Sequence, residues 1–197
     1  MKAMLRCVLG SLLLVATLAG AQSSPDALVK STADEVLAVM RQNSDPQTLR
    51  ALAEAKVLPH FDFVRMTRLA VGRPWQSASA AQQEALVKGF RTLLVDTYSA
   101  AISNGVTPAD KIDVKPPQGG GDDVLIKTIA HRGGKPPIGV DYRVAKNAGA
   151  WKVYDVIVEG VSLVQTYRGT FSTEIARSGI DGLIRTLEQK TSGKQTS

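Results

Sequence analysis

The hydrophobic spacing of this chain changes twice, and nothing else in it constrains the fold as much. Up to Ile102 apolar residues recur every three or four positions, from Lys111 to Val158 they alternate, and from Leu163 the helical spacing returns. The first pattern makes a stripe along a helix and the second makes one face of a strand. Helices, then strands, then helices, without strand–helix alternation, predict an α+β fold with helices packed over one face of an antiparallel sheet. With 197 residues the chain suits a single domain that buries most of its apolar surface without metals or disulfides.

The helical half starts at Ser24 or Pro25, proline being favoured at the first helical position, with Leu28, Thr32, Val36, Val39 and Met40 at helical spacing. Asp45-Pro46 is a second cap-and-proline start, followed by Leu49, Leu52 and Ala53. A short helix is expected after Pro59, broken by Gly72 and Pro74. Ser79-Ala80-Ala81-Gln82 is a capping box that opens the longest helix, which carries Leu86, Phe90, Leu93, Leu94, Thr97, Tyr98 and Ile102 and stops at Asn104-Gly105. Four strands are then expected, around 111–114, 123–131, 138–145 and 151–158. Short turns link them, which predicts a twisted four-stranded antiparallel meander. Leu163, Val164, Tyr167, Phe171 and Ile175 form a last long stripe, Gly179 ends it, and Ile180 to Leu187 make one more amphipathic piece before a frayed tail. The domain therefore divides into 22–110, mostly helical, 111–159, the sheet, and 160–191, the closing helices.

Residues 1–21 have the form of a secretory signal peptide. Lys2 and Arg6 precede an apolar run from Val8 to Leu18, and Ala19-Gly20-Ala21 fits the small-x-small cleavage pattern. The run is too short to span a bilayer, which needs about 20 residues. Cleavage after Ala21 removes Cys7, the single cysteine, so the exported chain has no disulfide to rely on.

Several chemistries are excluded or disfavoured. One cysteine and two histidines leave no multi-cysteine metal site, and no His/Cys/Asp/Glu set has ligand spacing. There is no Gly-x-Ser-x-Gly elbow for a hydrolytic triad. His60 and His131 read as surface or satisfied residues. Gly119-Gly120-Gly121 leads into a strand, whereas a phosphate loop leads into a helix N-terminus. A net charge of +6 with 5% aromatics not interleaved with basic runs gives no nucleic-acid surface. No cofactor is expected.

What remains is apolar surface on elements that frame a sheet. Strand alternation puts Val140, Tyr142, Val144, Tyr154, Val156 and Val158 on one face. The helices can add Leu94, Tyr98, Ile102, Leu163, Val164, Tyr167 and Phe171. Composition and period leave two readings open, a filled core or a cavity between helices and sheet.

The run Trp151-Lys152-Val153-Tyr154-Asp155-Val156-Ile157-Val158-Glu159-Gly160-Val161-Ser162-Leu163-Val164 resembles the MlaC family of periplasmic phospholipid-binding proteins, also known as toluene-tolerance auxiliary components of an ABC transport system. Tyr167-Arg168, Phe171 and Gly179-Ile180-Asp181-Gly182-Leu183-Ile184 continue the likeness. Phe61-Asp62-Phe63, Met66-Thr67-Arg68, Ala70-Val71-Gly72 and Trp75 carry it upstream. The resemblance implies helices around a sheet resembling the nuclear-transport-factor-2 cone. It also implies a pocket for phospholipid acyl chains, no covalent chemistry, and maintenance of outer-membrane lipid asymmetry. The partners it implies are phospholipid, an inner-membrane ABC transporter complex with its substrate-binding ring component, and an outer-membrane lipoprotein–porin complex, met by a monomer. Arg143, Lys146, Lys152 and Arg168 are candidate docking cations for such partners. The competing expectation is an enzyme of the isomerase or dehydratase type on the same scaffold, acting on a small apolar substrate. That reading needs Asp141, Asp155 or His131 to point into the cavity, and strand parity puts Asp141 on the other face from Tyr142.

Overall fold

The structure, a computed structural model, describes residues 24–42, 45–103 and 109–192. The leader at 1–21, the Asn104-Gly105 stop and the tail beyond 192 lie outside the described residues.

Helix α1 spans Pro25–Gln42 and α2 spans Pro46–Leu52, capped by Asp45, whose carboxylate accepts from the Thr48 backbone N–H at 2.8 Å. A π-helical turn, Ala53–Val57, and a 3₁₀ turn, Leu58–His60, continue directly from α2. Helix α3, Phe63–Val71, begins four residues after Pro59, because Asp62 is the capping residue and accepts from the Arg65 N–H at 2.8 Å. Gly72 ends it at φ 72°, a left-handed conformation that costs glycine little. Helix α4, Ala80–Ser103, opens on the expected capping box. Gln82 N–H donates to Ser79 Oγ at 3.2 Å and Ser79 N–H to Gln82 Oε1 at 2.9 Å. Helix α5 runs Leu163–Ser192 with a break at Gly179, where φ is 69°.

The sheet has seven strands, β1 Lys111–Val114, β2 Gln118–Gly120, β3 Asp123–Ile126, β4 Thr128–Arg132, β5 Lys135–Asn147, β6 Ala150–Val158 and β7 Val161–Ser162. The four-stranded meander is its backbone: β1 pairs β4, β4 pairs β5 and β5 pairs β6, all antiparallel. The other three strands come from three local events. The expected second strand breaks at Lys127 into β3 and β4, which pair with successive halves of β5. Asp141 holds that break, accepting from the Thr128 N–H at 3.2 Å, and the Thr128 hydroxyl donates to the Val140 carbonyl. The glycine-rich 118–121 turn pairs back on β3 as β2, and β6 turns at Glu159-Gly160 into β7.

Two buried clusters lie on opposite sides of the sheet. One joins α3, α4 and α5 through Met66, Phe90, Phe171 and Leu183. The other joins α1 to the sheet through Val29, Val124, Ile126, Val144 and Val153. Helices α4 and α5 approach closely at Gly89, where a Cβ would stand 2.9 Å from the Leu187 Cβ. Gly89→Ala should therefore destabilise the fold by about 1–3 kcal/mol, read from chemical denaturation, despite alanine's better helix propensity.

Candidate functional site

The sequence folds so that helices cover the sheet without filling the space above it. Helix α1 crosses the sheet at β1 and β3, with the Arg41 guanidinium donating to the Asp110 carbonyl. The segment 46–60 closes the side. Arg50 in α2 pairs with Asp96 in α4 at 2.6 Å, and the Lys152 ammonium donates to the Pro59 carbonyl. Between them lies a cavity of about 440 Å³. This is within the ~300–1,000 Å³ of ordinary ligand sites. Its wall takes Leu28, Thr32 and Val36 from α1, Leu49 and Leu52 from α2, and Phe61, Phe63 and Met66 from the α3 region. None of its 24 described lining residues is Asp, Glu, Lys or Arg.

Seven of the thirteen expected pocket side chains line this cavity: Leu94, Tyr98, Val140, Tyr142, Val156, Val158 and Leu163. Ile102 lies in the last turn of α4, and its side chain falls outside the described part of the structure. The other five do not line the cavity.

A bulge in β6 redirects Tyr154. Arg143 pairs with Asp155 but Val144 pairs with Val153, so Tyr154 is the extra residue and parity reverses there. Val153 takes the cavity-facing place, and Tyr154 joins the helical cluster on the far face. There its hydroxyl donates to Asp123 at 2.7 Å and the Arg65 guanidinium lies 3.5 Å above its ring. Val144 keeps the cavity-side face but is fully buried, because β3 brings Val124 alongside it and Val29 covers both. It does not line the cavity. Val164, Tyr167 and Phe171 turn toward α4, where Phe90 meets Tyr167 and Phe171 edge-on at 4.9 and 5.1 Å. Val164 and Phe171 are buried core, and Tyr167 packs against them partly buried.

The side chains that an enzyme would use are committed to other tasks. Asp141 secures the β3–β4 break. Asp155 is buried and caps α5, accepting from Ser162 Oγ at 2.6 Å and from the Val164 N–H at 3.1 Å. His131 Nε2 contacts Asp113 at 2.8 Å, and none of the three lines the cavity. No group of three or more His, Cys, Asp or Glu suited to a metal occurs among the described residues.

His60, read as a surface or satisfied residue, lines the cavity. Burial lowers its pKa, and the nearby Lys152 charge lowers it further. The other polar side chains of the wall are Thr32, Tyr98 and Tyr142, and burial raises the pKa of both tyrosines, Tyr142 to about 12. The α1 and α2 contributions were visible as apolar stripes in the sequence. Spacing alone could not say that they face a void.

The candidate docking cations do not occupy one face. Lys146 pairs with Asp122 at 3.1 Å and sits over the Trp151 ring at 5.2 Å, on the cavity side of the sheet by register. Arg143 and Lys152 belong to the opposite face by the same register. Arg168 projects from α5 beside Gly72.

Residues 30–189 match the family model described as MlaC protein. The chain belongs to the MlaC family. The intermembrane phospholipid transport system binding protein MlaC of Haemophilus influenzae is 28% identical over 187 residues, covering 91% of this chain and 87% of that protein. A solved structure of a phospholipid-binding protein from Ralstonia solanacearum, in complex with a phospholipid, is 32% identical with a TM-score of 0.78. The match covers 87% of this chain and 98% of that one. The MlaC membership agrees with the α+β architecture that the hydrophobic spacing predicts.

Proposed function

We propose that this chain is a periplasmic phospholipid carrier. It would hold acyl chains in the cavity and pass the lipid between an outer-membrane lipoprotein–porin complex and an inner-membrane ABC transporter. In this reading residues 1–21 direct export and are removed, residues 22–197 form one monomeric lipid-binding domain, and no bond is made or broken. Net traffic maintains the asymmetry of the outer membrane. The observation that carries the proposal is the uncharged cavity wall. The phospholipid bound to the Ralstonia solanacearum relative supports it.

Each buried methylene is worth ~0.8 kcal/mol, so a palmitoyl chain in water forgoes roughly 12 kcal/mol. A wall of aliphatic and aromatic groups replaces the bilayer interior for such a chain. Featureless chains ask for area and few hydrogen bonds, and the described residues of this wall offer four polar side chains. The Leu94, Tyr98, Val140, Tyr142, Val156, Val158 and Leu163 side chains would contact the chains. Because spontaneous release is so unfavourable, hand-over requires contact with a membrane complex. Arg143, Lys146, Lys152 and Arg168 are candidates for steering that contact, through an attraction that salt screens.

The test is transfer. Protein loaded with a fluorescent phospholipid should keep it through gel filtration and in the presence of bare vesicles. It should exchange the lipid readily with vesicles that carry the transporter complex. Equal rates to both kinds of vesicle would contradict contact-dependent hand-over, and failure to load would contradict carriage itself.

A further inference from the structure

The chain has four tyrosines, and the hydroxyls of three are accounted for. Tyr154 donates to Asp123, Tyr167 bonds with Thr97, and Tyr98 is 38% exposed, within reach of water. Tyr142 differs. It lies on β5 opposite Val156, within the cavity wall, and no hydrogen-bond partner for its hydroxyl is found among the described residues. Tyr142 is partly buried, and on this apolar wall a hydroxyl with no protein partner gains a hydrogen bond when an acceptor arrives in the cavity. Burial raises its pKa to about 12, so the group stays protonated and can donate.

The wall narrows what that acceptor can be. With no Lys or Arg among the lining residues, a phosphate at this depth would be an uncompensated charge. The neutral polar atoms of a phospholipid nearest its chains are the ester carbonyl oxygens. Resting on the carrier reading above, we infer that the Tyr142 hydroxyl donates a hydrogen bond to an acyl-ester carbonyl of the bound phospholipid. It thereby fixes the depth of the chain and favours ester-linked over ether-linked lipid. Tyr142 is in this sense a specificity-determining residue.

The experiment offers the protein vesicles holding equal amounts of dipalmitoyl phosphatidylglycerol and its dihexadecyl ether analogue. The two lipids recovered on the protein are then counted by mass spectrometry. An ether oxygen is a poorer acceptor, so wild type should prefer the diester by roughly two- to tenfold, the worth of one such bond. Tyr142→Phe keeps the ring and should take up both lipids in equal amounts, with its melting temperature confirming the fold. As a second reading, the infrared band of a ¹³C-labelled ester carbonyl should lie lower on wild type than on Tyr142→Phe. Uptake of both lipids by wild type without preference, and with the same carbonyl band in both proteins, would overturn the inference while leaving carriage intact. Failure of wild type to take up either lipid would overturn both.

Discussion

Val140→Asp should strip the protein of lipid while leaving it folded. Val140 lines the cavity and is absent from both buried clusters, so its replacement disturbs the wall more than the core. A carboxylate there would face acyl chains with no cation on the wall to pair with, at a cost of several kcal/mol. Each 1.4 kcal/mol is a factor of ten in binding, so lipid recovered per protein should fall by well over tenfold. Circular dichroism should be unchanged. Val164→Asp is the contrast: Val164 is 2% exposed and packed in the helical cluster, so the same substitution should unfold the protein. If Val140→Asp kept its lipid, the chains would have to lie elsewhere.

The second large effect is on stability. Phe90 is fully buried and its ring meets Tyr167 and Phe171 edge-on, tying α4 to α5. Phe90→Ala removes the central ring of that trio and leaves a cavity that the flanking helices cannot close. The expected loss is about 3–5 kcal/mol in urea unfolding. At roughly 2–4 °C per kcal/mol for a domain of this size, melting should drop by about 6–20 °C. Lipid content should stay near wild type in whatever fraction remains folded, since Phe90 does not line the cavity. A loss below 1 kcal/mol would mean that the three rings are not the keystone of the helical layer.

These contrasts follow from features that the sequence displays unevenly. Helix starts were legible because their chemistry is local. Asp45-Pro46 and the Ser79–Gln82 box each satisfy their own backbone donors, whatever lies across the fold. The meander was legible from alternation between Lys111 and Val158. Alternation fails where tertiary contacts intervene. Nothing in Trp151–Val158 marks Tyr154 as a bulge, yet that one residue exchanges the faces of Val153 and Tyr154. The break at Lys127 depends on Asp141, fourteen residues away in sequence and visible as a partner only once β4 and β5 pair. On α5 the stripe from Leu163 to Phe171 was read as one face, but Leu163 alone reaches the cavity while the rest packs into the helical cluster. Periodicity gives the face and not what the face meets. For the same reason His60 passed as a surface or satisfied residue: its place on the cavity wall follows from the 3₁₀ turn that carries it.

Carriage is tested most directly by native mass spectrometry of the protein purified from its own host, with the ligand identified after organic extraction. The protein should carry a mass increment equal to phospholipid, in stoichiometric amount, and lose it in Val140→Asp. Well-folded wild-type protein at the bare polypeptide mass, with no phospholipid in the extract, would contradict it.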